Sequence, residues 1–126
     1  ESEIYCNLIK DMAGLITEGT FTSIQDLAAL MPGIKLFPLN LLITQRFDSL
    51  TKIKSLQTPI LILHGTGDRT IPLWMAKKLY SAAPEPKQLK IFDQAGHNNL
   101  PELNEQKYLL ILRQFIVIPN NLRMIL

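Results

Sequence analysis

The 126-residue chain is predicted to be α/β, with parallel strands alternating with helices. Three observations lead there. The run Ile60-Leu61-Ile62-Leu63 is apolar without alternation and is bounded by Pro59 and Gly65, as suits a strand covered on both faces. A second such segment, QLKIFD, occupies residues 88–93. Between the two lies a helix signal that opens at Pro72 and closes before Pro84-Glu85-Pro86. Strand, helix, strand in this order gives a right-handed crossover in one parallel sheet, with loops at the carboxyl ends of the strands.

The remaining elements follow along the chain. AGLIT, residues 13–17, is a short apolar segment running into Glu18-Gly19, which reads as a buried strand ending in a turn. Thr22 or Ser23, followed by Gln25 and Asp26, has the spacing of a helix start, and the helix is predicted to reach about Leu30, where Met31-Pro32-Gly33 stops it. Residues 34–53 are apolar but broken by Pro38, and predict short helices or a cap-like excursion. The helix after Pro72 runs to about Ala83. After the 88–93 strand, QAGHNNLPEL reads as a loop. Tyr108, Ile111, Leu112, Phe115 and Ile116 then recur at three- and four-residue spacing, the stripe of a helix lying on a sheet.

Composition narrows the function classes. With 47% hydrophobic residues the chain can bury one core, so a single domain or part of one is expected. Thirteen basic and eleven acidic residues are spread evenly, leaving no stripe that would track nucleic-acid phosphates. No apolar run approaches the ~20 residues needed to span a bilayer, and Glu1-Ser2-Glu3 is the wrong start for a signal peptide. A single cysteine, Cys6, excludes an internal disulfide framework and a cysteine zinc site. It fits a reducing compartment, and a cytoplasmic setting is the expectation.

Asp68 and His97 fall on the two loops beyond neighbouring strands, where open parallel sheets bind their ligands. A histidine acts as a general base near neutral pH when its other ring nitrogen is held in one tautomer, and a buried carboxylate is the usual holder. The bland alternative has Asp68 satisfying the amides of a tight turn and His97 closing a loop. His64, at a strand end, reads as a packed residue. Asp93 could orient His97 from four positions away but more simply caps the next turn, and Glu18 likewise suits a turn. A metal site built from His64, Asp68, Asp93 and His97 matches no familiar ligand spacing.

PILILHGTGDRTIP followed by LKIFDQAGHNN closely resembles the C-terminal part of α/β-hydrolase-fold serine hydrolases. The resemblance is strongest to the branch of acyl-ester and thioester hydrolases that includes the bud-emergence-type proteins. GLITEGTFTSIQDLA and RFDSLTKI resemble the same branch, so the similarity covers roughly residues 12–117. It implies that Asp68 is the acid and His97 the base of a catalytic triad, and that no metal or organic cofactor is required. The implied function is a carboxylesterase-, phospholipase- or thioesterase-like hydrolase acting on a small acyl substrate.

The nucleophile of that family sits in a G-x-S-x-G elbow, and none of the six glycines here flanks a serine in that way. Cys6, Ser23 and Ser49 precede Asp68 and His97, but Cys6 has no glycine for an elbow, Ser23 suits a helix cap, and Ser49 lies among apolar residues. The expectation is therefore the C-terminal half of an α/β-hydrolase fold over residues 1–126, without the N-terminal strands and elbow, and inactive by itself. The competing class is a non-catalytic module of the same fold. Thr20 and Phe21 are expected to shape the substrate pocket, together with the apolar stretch holding Leu36, Phe37, Leu39, Leu41 and Leu42. An uncovered strand edge at AGLIT predicts self-association of the isolated chain.

Overall fold

The computed structural model describes residues 14–33 and 48–117. Cys6 and the apolar stretch over 34–47 lie outside the described residues. In chain order the elements are β1 (Leu15–Glu18), α1 (Ile24–Ala28), α2 (Ser49–Ile53), β2 (Ile60–Gly65), α3 (Leu73–Ala82), β3 (Lys87–Phe92), α4 (Leu100–Leu103) and α5 (Glu105–Val117). The strands form one sheet in the order β1-β2-β3, all parallel. Leu15 pairs with Ile60 in register, and Ile60 with Lys87.

β2 is central, and each of its six residues is buried. Successive side chains of a strand point to opposite faces. Ile60 and Ile62 accordingly pack with Ile53, Leu56, Ala76, Leu79 and Ala83 beneath α2 and α3. Leu61 and Leu63 pack with Phe92, Ala95, Leu100, Ile111 and Phe115 beneath α4 and α5. The lack of alternation in the sequence is thus the signature of a strand with helices on both sides. Truncating one of these leucines to alanine removes core contacts worth about 2–5 kcal/mol.

The flanking strands depart from expectation. The 88–93 segment is a strand one residue earlier, and only its last residue, Phe92, is buried. β1 also lies one to two residues later than predicted, includes Glu18, and alternates between half-buried and exposed positions. Each has a strand neighbour on one side only among the described residues, and Ile16 is left exposed. The local pattern of apolar residues does not reveal how many neighbours a strand will find.

Helix ends follow side-chain chemistry. Ser23 caps α1, its hydroxyl accepting from the Asp26 amide at 3.0 Å. Thr22 instead is fully buried and donates to the Asp26 carboxylate. α1 ends at Ala28, and the chain continues to Met31 as turns. Asp48 caps α2 by accepting from the Thr51 amide at 2.9 Å. Pro72 is the cap of α3 rather than its first residue. Part of the expected loop over 94–103 closes into the single turn α4, because Leu100 is buried in the core.

Candidate active site

The turn after β2 is built around one carboxylate. Asp68 Oδ1 accepts from the amides of Thr70 and Ile71, both at 2.8 Å, an arrangement open to an aspartate that begins a tight turn. Its other oxygen, Oδ2, lies 2.9 Å from Nδ1 of His97, on the loop after β3. The structure therefore brings together the two residues that the sequence places 29 positions apart. The Asp68 side chain is 1% exposed, whereas that of His97 is 32% exposed. Burial by itself would raise the Asp68 pKa, but the hydrogen bonds from the Ile71 amide, His97 and the Thr70 amide outweigh it and hold the carboxyl below its ordinary value. With Nδ1 donating to a carboxylate, Nε2 of His97 is the nitrogen left to accept a proton.

Glycines bring the two loops together. A β-carbon on Gly65 would stand 2.0 Å from the Ala95 carbonyl oxygen, and one on Gly67 would stand 2.8 Å from that of Gln94. Room left by these absent side chains lets the Gly67 amide donate to Ala95 at 2.9 Å and the Thr66 amide to Phe92 at 3.0 Å. The Thr66 hydroxyl completes the junction, accepting from the Gln94 amide at 2.7 Å and donating to Asp93 at 3.0 Å. Asp93 thus serves the junction, and it is Asp68 that meets His97.

The turn after β1 closes on the same pair. Gly19 has φ +55°, and a β-carbon there would lie 2.9 Å from His97 Nδ1 and 3.6 Å from Asp68 Oδ2. Sequence reasoning missed this residue; its only local signal is a glycine directly after a strand. Thr20 and Phe21 follow it and are half-buried. Glu18 is not confined to a turn role, because its carboxylate accepts from the Tyr108 hydroxyl on α5 at 3.0 Å. His64 is fully buried, 3.7 Å from Asp68 Oδ2. Ser23 is a helix cap, Ser49 opens α2, and no hydrogen bond from either to His97 is present among the described residues. No cluster of three or more His, Cys, Asp or Glu suited to a metal occurs among the described residues, and no described helix is long and apolar enough to cross a membrane.

Comparison with known proteins agrees with this architecture. Residues 40–104, just over half of the chain, match the family model described as serine aminopeptidase, S33. A Mycobacterium tuberculosis protein of uncharacterised function is 31% identical over 106 residues, covering 82% of this chain and 36% of that protein. The α/β hydrolase domain-containing protein 17C of Xenopus tropicalis is 39% identical over 70 residues, covering 56% of this chain and 22% of that protein. The chain thus spans little more than a third, or less, of the length of these relatives. Among solved structures, an esterase from Rhodococcus sp. ECU1013 superposes with a TM-score of 0.66 at 14% identity, over 91% of this chain and 61% of the esterase, a likeness of fold. With its parallel sheet and strand-end loops arranged as that fold requires, the chain belongs to the α/β-hydrolase family of the serine aminopeptidase, S33, description.

Proposed function

We propose that this chain supplies the acid and the base of a serine hydrolase that cleaves acyl esters or thioesters. The observation that carries the reading is the 2.9 Å contact between His97 Nδ1 and a buried Asp68 carboxylate fixed by two backbone amides. In this reading the attacking serine comes from outside the 126 residues. His97 Nε2 takes the proton of that serine as the hydroxyl oxygen adds to the carbonyl carbon, and then passes it to the departing alcohol or thiol. Asp68 stays ionised and stabilises the imidazolium between the two transfers. Water repeats the cycle on the acyl intermediate, and no cofactor is needed. Thr20 and Phe21, next to the glycine whose added β-carbon would meet His97, would form one wall for the acyl group.

The test uses the full protein that carries this chain. Its reading frame should contain a G-x-S-x-G before Glu1, and the protein should turn over a short-chain aryl ester. Replacing His97 by glutamine should reduce kcat on the order of 1,000-fold or more. Unchanged turnover would overturn the assignment. Lack of both an elbow and turnover would instead favour a binding module of the same fold. An aminoacyl anilide assayed in parallel distinguishes ester from amide cleavage.

A further inference from the structure

His64 is the one fully buried histidine of the described residues, and the proton transfers above do not use it. It lies on β2 in the same alternating set as Ile60 and Ile62, directed to the α3 side of the sheet. Its Nε2 stands 2.8 Å from the carbonyl oxygen of Ile71. A carbonyl can only accept, so Nε2 carries the hydrogen and Nδ1 is left as an acceptor. Nδ1 is buried and has no hydrogen-bond partner among the described residues. A residue kept only to fill space would do so better as leucine, which has no buried ring nitrogen to leave unpaired.

The partner of Nε2 gives the reason. The Ile71 amide is one of the two donors that fix Asp68 Oδ1, and the Ile71 carbonyl is the group that His64 holds. The residue that anchors the carboxylate is therefore restrained through its amide on the Asp68 side and through its carbonyl on the β2 side. We propose that His64 is a positioning residue, whose Nε2–H fixes the turn over 68–71 and so sets the Asp68 carboxylate against His97. The catalytic meaning of this role rests on the hydrolase reading, but the geometry itself does not.

Three variants separate positioning from packing. His64→Gln keeps an N–H donor at a similar reach, His64→Asn keeps the amide but shortens the reach, and His64→Leu keeps the bulk without the donor. In the full protein labelled with 15N at histidine, NMR should find His64 protonated at Nε2 and bare at Nδ1. The opposite tautomer overturns the proposal. The Nδ1 proton of His97, shifted downfield by its bond to Asp68, should exchange with water about tenfold faster in the Asn and Leu variants and at the native rate in the Gln variant. Equal exchange in all four proteins also overturns it. On an aryl ester, kcat should fall about 10- to 100-fold in the Asn and Leu variants, with KM nearly unchanged, and recover in the Gln variant. Should the Leu variant not fold, the Asn–Gln pair and the tautomer still decide. Should the wild type show no turnover, the hydrolase reading fails alone, and the two NMR results still judge His64.

Discussion

Asp68 and His97 share one hydrogen bond, yet the two loops that present them are built differently. Asp68 is sealed from solvent and held by two backbone amides of its own turn. His97 keeps about a third of its side chain exposed, and its loop is shaped by Gly96 donating to Asn99 at 2.6 Å and by contacts to the neighbouring turn. The carboxylate is fixed while the imidazole is open. This difference is what the proposed hydrolase reading requires, since a carboxylate that stabilises a charge works best with no reorganisation and an imidazole that carries a proton to a substrate must face the space that substrate enters.

The sharpest way to break this comparison is to remove the fixed charge. Asp68→Asn in the full protein should reduce kcat/KM on an aryl ester on the order of 10⁴-fold, because the amide can hold His97 in the wrong tautomer. Steady-state kinetics beside circular dichroism would separate this from unfolding. A second contrast compares Gly65, which ends β2 ahead of the Asp68 turn, with Gly96 of the His97 loop. Gly65→Ala places a β-carbon 2.0 Å from the Ala95 backbone and should cost about 3 kcal/mol or more in urea denaturation. Gly96→Ala meets nothing closer than the Asn99 side chain at 3.4 Å and should stay within about 0.5 kcal/mol. Equal losses would mean that both loops are equally tight.

Smaller effects follow from titration. The Asp68 carboxyl has a lower pKa in the fold than in the unfolded chain, where it is about 3.9. Its contribution to stability is therefore complete above that value and is lost as pH falls through the lower folded one. Asp68→Asn should flatten the acid limb of a Tm profile below about pH 4. Tyr108 behaves in the opposite sense. Burial, and then the bond to Glu18, raise its pKa above the ordinary value of 10.0, so its contribution is complete below that pH and is lost as pH rises through the folded value. Tyr108→Phe should cost about 0.5–1.5 kcal/mol at neutral pH and remove part of the alkaline limb.

Much of the fold can be read from local pattern. Four consecutive apolar residues between Pro59 and Gly65 are enough to identify a strand with helices on both faces. Pro72, the 108–116 stripe and the Thr22-Ser23 hydroxyl pair mark helices by chemistry within one or two turns of chain. Asp68 and His97 are legible because both follow strands of one parallel sheet, whose carboxyl ends must lie on one side. Contacts between distant segments left no such mark: Glu18 with Tyr108 across 90 positions, Gly19 facing His97, and Thr66 joined to Asp93; nor did the bond of His64 to the Ile71 carbonyl, seven residues on.

The order of apolar, capping and turn residues by itself determined the three strands and the long helices between and after them, and that Asp68 and His97 lie on loops beyond neighbouring strands. Only the tertiary structure decided that β3 is half-covered, that Asp93 serves the loop junction, and that a glycine after β1 makes room for the pair. The reason is physical: backbone propensity and side-chain alternation act over a few residues, while burial and hydrogen-bond partners depend on which loops the packed sheet brings within 3 Å of one another.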